Sequence, residues 1–178
     1  MDESEKRYWR TLRRARPAER VAPEPGQESV WDYPRPPRVE PATRRVRIVL
    51  AGTPVAESDR ALRVCETASP PVYYVPPQDV RREHLEPAER SSFCEWKGRA
   101  RYWHARVGGI LVADAAWSYP APEAAFEALR DYVAFYPGRV EAWLGVERVR
   151  PQPGGFYGGW VTDELVGPWK GEPGTEGW

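Results

Sequence analysis

Between positions 46 and 117 the chain alternates short apolar runs with Gly, Pro, Ser and Asp, the punctuation of strands rather than helices. The runs at 46–50, 55–57, 62–65 and 72–75 predict an antiparallel meander. Pro76-Pro77-Gln78-Asp79-Val80, followed by Arg81, Arg82 and Glu83, predicts a short helical turn. Strands over 93–106 and 110–117, linked at Gly108-Gly109, predict a hairpin. Were 93–106 one straight strand, Cys94, Trp96, Gly98, Ala100 and Tyr102 would share the buried face, leaving Glu95, Lys97, Arg99 and Arg101 on the other. Next, Pro122 and Glu123 suit a helix start, and Phe126, Leu129, Val133 and Tyr136 recur at helical spacing before Pro137-Gly138. One helix across a face of the sheet is expected there, with 140–146 returning as a last strand.

The flanks read differently. Residues 1–29 are polar, with a basic stretch at 6–16, and predict a mobile arm. A short helix over 4–15 would put Trp9 and Leu12 on one face, to dock on the body or on a second subunit; a solvated tail is the alternative. The proline-rich 31–37 should be extended. After Arg150 the chain is rich in Gly, Pro and Trp, a composition suited to wrapping an existing surface. Phe156, Tyr157, Trp160 and Trp169 would be left exposed by a free tail, so 154–178 is expected to close one side of a pocket. Trp-x-Tyr-Pro-x-Pro at Trp31 recurs at Trp117, and Trp-Lys-Gly at Trp96 recurs at Trp169, an echo too fragmentary for a repeat.

A chain of 178 residues suits one domain with extensions. Lys plus Arg and Asp plus Glu number 26 each, so no net field gathers nucleic acid or an anionic membrane. No apolar run approaches the roughly 20 residues of a membrane span, and the charged N-terminus does not resemble a signal peptide. The two cysteines, Cys65 and Cys94, form no CxxC and no disulfide framework. A cytoplasmic location with reduced thiols is therefore expected. The nine tryptophans suit a small β-core and the walls of a pocket.

Several strings stand out together: Pro70-Pro71-Val72-Tyr73-Tyr74-Val75-Pro76, then Cys94-Glu95-Trp96-Lys97-Gly98 with Ala100 and Tyr102, then Trp117-Ser118-Tyr119-Pro120. In this order and spacing they resemble the family catalogued as domain of unknown function family 427, some of whose members carry a nucleotidyltransferase-like label. The resemblance covers 44–147 as one module. Trp31-Asp32-Tyr33-Pro34 before it, and the tail from Gly158-Gly159-Trp160 to Gly174 after it, resemble those of an actinobacterial-type single-module subgroup, a bacterial affiliation. The family implies a mainly β (α+β) fold: a compact antiparallel domain with one packed helix, similar to the β-tent of methionine sulfoxide reductase B but zinc-free. It implies no chemistry. The expected organisation is an N-terminal basic and proline-rich extension at 1–43, the β-domain at 44–147 and a wrapping tail at 148–178.

The chemistry-bearing residues leave alternatives open. In a straight strand Cys94 and His104 would stand about 33 Å apart, which forbids a Cys-His dyad unless the backbone turns at Lys97-Gly98. Cys94 is then a nucleophile or a buried thiol. Lys97 is either solvated and loosely paired, or brought to a pocket rim where it holds a carboxylate or phosphate. Glu66 is an acid-base group or a structural carboxylate. Of Tyr73 and Tyr74 only one can enter a pocket beside Trp96. Paired Cys-x-x-Cys knuckles, Asp-x-Asp pairs and phosphate-binding loops are missing from the sequence, so no metal and no cofactor are expected. The expected ligand site comprises Glu66, Tyr74, Cys94, Trp96, Lys97, Tyr102, Trp117 and Tyr119. Small-molecule binding is the first expectation. An enzyme using Cys94, Glu66 and Lys97 on an anionic substrate is the second, and a protein-interaction module or homodimer built from the flanks is the third.

Overall fold

The strand-like runs all form strands, and the flanks add more. A computed structural model describes residues 2–12 and 15–175. Its strands are β1 (Glu28–Ser29), β2 (Arg38–Pro41), β3 (Val46–Leu50), β4 (Thr53–Ser58), β5 (Leu62–Glu66), β6 (Ser69–Val75), β7 (Leu85–Cys94) and β8 (Gly98–Val107). They continue as β9 (Ile110–Ser118), β10 (Val133–Phe135), β11 (Glu141–Leu144), β12 (Glu147–Arg148), β13 (Arg150–Pro151), β14 (Trp160–Val161) and β15 (Leu165–Val166). A seven-stranded antiparallel sheet runs β2-β5-β6-β10-β9-β8-β7, and a four-stranded one runs β12-β11-β3-β4. The architecture is mainly β and antiparallel. Among the described residues no helix is long and apolar enough to cross a membrane.

Successive side chains on a strand point to opposite faces, and the large sheet buries both. Tyr73 and Val75 of β6 and Val133 and Phe135 of β10 join Val46, Ile48, Ala142 and Leu144 of the small sheet in one core. Tyr74 of β6, Ala134 of β10, Tyr102 of β8 and Trp117 of β9 face the other way into a second cluster with Tyr119, Phe126 and Leu129. The cavity described below lies on this second face.

The helix expected at 122–136 does not form. A six-residue 3₁₀ segment, Ala124–Leu129, stands there, with Phe126 off helical geometry at φ −117°, ψ 19°. Phe126 and Leu129 are buried at the i, i+3 spacing that a 3₁₀ turn stacks on one side. Asp131 then takes φ 61°, and Val133 to Phe135 become a central strand. There β10 hydrogen-bonds to both β6 and β9, whose backbone groups would otherwise be buried without partners. Sheet pairing outweighs a helical spacing that also fits a turn followed by an alternating strand.

The strand expected at 93–106 also divides. It forms the end of β7 and most of β8, joined by a tight turn at 95–97 that sets Cys94 opposite Gly98. Gly98 occupies φ 91°, where a side chain would be strained.

At the N-terminus, helix α1 (Glu3–Thr11) carries a capping box: the Asp2 carboxylate accepts from Ser4 and Glu5 N–H, and the Glu5 side chain accepts from Asp2 N–H. Arg13 and Arg14, within the expected helix at 4–15, lie outside the described residues. The helix rests on the body through basic side chains. Lys6 Nζ lies 4.7 Å from the Phe93 ring centroid, Arg10 Nε donates to the Glu95 carbonyl at 2.8 Å, and Arg35 donates to the Trp9 carbonyl at 2.7 Å. A guanidinium at the last turn suits the negative end of the helix dipole.

The flanks are stitched into the body. β1 pairs with β15 in parallel, and Trp31 Nε1 donates to the Pro168 carbonyl at 2.6 Å. Trp160 is fully buried in the first core, stacked 4.9 Å from Tyr73 and donating to the Phe135 carbonyl. Arg63 grips Glu28 with two bonds of 3.0 Å and donates to Glu40, while Tyr33 donates to Glu28. Burial beside this network pushes the Cys65 thiol up to about 12. Burial likewise raises the phenols of Tyr33 and Tyr73, helped for Tyr33 by its bond to Glu28.

Two predictions follow from this packing. Trp160→Ala should cost about 3–5 kcal/mol in denaturant unfolding, the usual toll of emptying a buried tryptophan site; a loss below 1 kcal/mol would make the tail an appendage. The second concerns alkali. In the unfolded chain thiols and phenols ionise near 9 and 10, while the folded groups keep their protons. Their contribution to stability is thus whole below about pH 9 and lost as pH rises. The melting temperature should fall steadily above pH 9, and a profile flat to pH 11 would contradict the burial described.

Candidate functional site

The tight turn between β7 and β8 builds the site. A three-residue hairpin loop reverses the chain with a glycine in the left-handed region, here Gly98, and turns neighbouring side chains to opposite sides. Trp96 goes to the outside of the turn, buried between two guanidinium groups, Arg10 at 5.6 Å and Arg35 at 5.4 Å from its ring. Lys97 goes inward. The straight-strand reading put Lys97 and Cys94 on opposite faces; the turn brings both to one cavity.

That cavity measures about 220 Å³ and lies on the second face of the large sheet. Glu66, Ser69, Pro70 and Tyr74 wall it from β5 and β6, and Ser92, Cys94 and Glu95 from β7 and its turn. Tyr102, Trp117, Tyr119 and Tyr136 form its aromatic wall, and Gln152, Phe156, Tyr157, Gly158 and Lys170 come from the tail. Of the eight expected ligand-site residues, Trp96 alone does not line it. The rings are arranged edge to face and tilted: Tyr74 to Trp117 at 6.2 Å and 83°, Trp117 to Tyr136 at 4.5 Å and 46°. Ser92 Oγ and the Tyr102 hydroxyl share a hydrogen bond of 2.9 Å. The tail lies close enough that a Cβ at Gly158 would overlap the Trp117 ring.

Charge around the cavity is unevenly paired. Arg35, nearly buried, bridges Glu66 at 2.9 Å and Glu95 at 3.2 Å, so both carboxylates on the rim are engaged. Lys97 has no carboxylate within 4 Å among the described residues, and its ammonium sits 5.9 Å from the Tyr119 ring and 6.0 Å from the Phe126 ring. Burial works against its charge, but Cys94, Tyr74 and Glu66 around it outweigh burial and raise its pKa. As an ammonium, Lys97 is suited to hold an anion. Burial also raises the phenols of Tyr74 and Tyr119, which stay protonated donors.

The remaining chemistry-bearing residues stand apart. His104 lies along β8 opposite Glu86, about 20 Å from the Cys94 end of the hairpin at ~3.3 Å per residue, and its Nδ1 accepts from Asp114 N–H. The two form no dyad. Tyr73 enters the first core, not the cavity. Cys65 packs with Trp31 and Tyr33, in a different cluster from Cys94. Among the described residues no three His, Cys, Asp or Glu side chains are grouped to hold a metal ion.

Sequence reasoning missed Ser92, Tyr136 and Gln152. Tyr136 was hidden by the helical spacing of 122–136, whereas its position after an alternating Val133-Ala134-Phe135 could have placed it on the cavity face. Nothing around Ser92 or Gln152 signals a cavity; each arrives through tertiary packing.

No curated protein matches the chain. The model of one family does match, over residues 38–145, and its strands β2 to β11 hold most of the cavity wall. The chain belongs to the family described as domain of unknown function (DUF427).

Proposed function

We propose that the protein binds a small molecule in the cavity between the β7–β8 turn and the tail. The observation that carries this reading is an aromatic-walled space of about 220 Å³ with a buried, carboxylate-free ammonium at its side. Concave walls that combine aromatic rings with convergent polar groups are a usual build of a ligand site. The eight residues Glu66, Tyr74, Cys94, Trp96, Lys97, Tyr102, Trp117 and Tyr119 form the proposed site. Seven would touch ligand, and Trp96 would position the turn that carries Lys97. We further propose work in the cytoplasm, in keeping with two unpaired thiols, and without cofactor, metal, nucleic acid or membrane.

A fragment screen by ligand-observed NMR and thermal shift tests the reading. Saturable aromatic binders are expected, and Ser92→Phe, which fills the cavity from β7, should weaken them at least tenfold while the variant still melts cooperatively. Equal binding to that variant, or no saturable binder at all, would sink it.

Catalysis in the same cavity is a second reading, favoured by Cys94 facing the space beside Lys97. Iodoacetamide at neutral pH should label Cys94 well before Cys65, whose thiol is raised and fully buried. A bound fragment should slow that labelling. Binding retained in Cys94→Ser would leave the thiol a wall of the site, and turnover lost with it would make it the nucleophile.

A further inference from the structure

We propose that the ligand is a monoanionic aryl carboxylic acid, its ring against Tyr74 and Trp117 and its carboxylate on the Lys97 ammonium. This inference rests on the reading of the cavity as a ligand site and names the ligand's chemistry.

Charge comes first. Lys97 is 9% exposed, and no carboxylate of the protein lies within salt-bridge distance of it among the described residues. A buried cation beside ring faces, a thiol and a phenol, with Glu66 beyond salt-bridge distance, leaves room for a closer anion, which an incoming carboxylate would supply. The two rim carboxylates do not fill that role, because Arg35 bridges both.

The choice of anion follows from the donor set. A phosphate dianion favours several donors converging on it, from arginine forks, lysines or rows of backbone N–H groups at helix starts. None of the described lining residues is arginine, and the carboxylates of Glu66 and Glu95 on the rim repel a second negative charge. Of the two lysines that line the cavity, Lys170 stands on the tail with its ammonium 4.9 Å from the Tyr157 ring, and Lys97, beside the protonated phenols of Tyr74 and Tyr119, matches a single carboxylate.

Size and shape select the rest. A dry cavity of about 150 Å³ accepts benzene, so about 220 Å³ accommodates one ring with a short acidic side chain. The near-perpendicular Tyr74 and Trp117 rings offer both a face and an edge to a third ring.

Isothermal titration with 3-phenylpropionate, its amide and phenyl phosphate tests the proposal. The acid should bind at least tenfold tighter than either analogue, and Lys97→Met should erase its advantage over the amide. Cooperative melting shows whether the variant is folded; should Lys97→Met not fold, the ranking of the three probes on the native protein decides. Equal binding of acid and amide, tighter binding of phenyl phosphate, or an acid preference that survives Lys97→Met would overturn the proposal. Saturable binding of the neutral amide alone would retain the cavity as a ligand site and reject the charge. Binding by none of the three, while indole binds saturably, would reject the aryl acid and keep the site.

Discussion

A sheet that buries both of its faces needs two covers, and this fold supplies unequal ones. The four-stranded sheet covers one face of the seven-stranded sheet with aliphatic side chains that interlock with Tyr73, Val75, Val133 and Phe135. The other face is covered piecemeal, by a 3₁₀ segment, the 95–97 turn and the C-terminal tail. Irregular backbone cannot fill space as a second sheet does, because its side chains lack a common repeat. The cavity is the volume those three pieces leave over the aromatic face.

The same division explains where charge is tolerated. The more buried arginine ion pairs lie where the flanks join the module: Arg63 with Glu28 and Glu40, Arg44 with Glu147 and Glu164, Arg35 with Glu66 and Glu95. Each joins segments distant in sequence with bidentate or bridging geometry, which fixes orientation more than it adds stability. Lys97 departs from this pattern, since it lies in the second cluster's territory with aromatic rings rather than a carboxylate beside it. A structural role would have been met more cheaply by methionine or leucine at that position.

Much of this was legible in the sequence, for physical reasons. The strand at 46–50 announces itself because period-two burial forces alternation, that at 72–75 as a continuous apolar run bounded by prolines, and Gly108-Gly109 permits the turn its hairpin needs. The failures share a cause. At 122–136 the apolar spacing serves a 3₁₀ turn followed by a strand as well as it serves a helix, and only the unpaired edges of β6 and β9 decide between them. At 93–106 the face of every side chain depended on whether the chain reverses at Gly98, a backbone choice that composition leaves open. The cavity wall was legible where large aromatics crowd a short motif, as at Tyr74, Tyr102, Trp117 and Tyr119. It was illegible at Ser92 and Gln152, which reach the cavity only through strand register and the docking of the tail.

The tail's two kinds of aromatic residue settle how it can be both anchor and wall. Trp160 is driven into the first core, where its indole N–H finds a carbonyl, and this holds β14 beside the sheet. Phe156, 62% exposed, and Tyr157 stand at the cavity's edge, followed by glycines whose bare backbone lies against Trp117 and Gln152. A side chain at Gly158 or Gly159 would lift the tail away from that wall. The anchor therefore fixes the position of the wall, while the glycines let it approach closely enough to enclose the cavity.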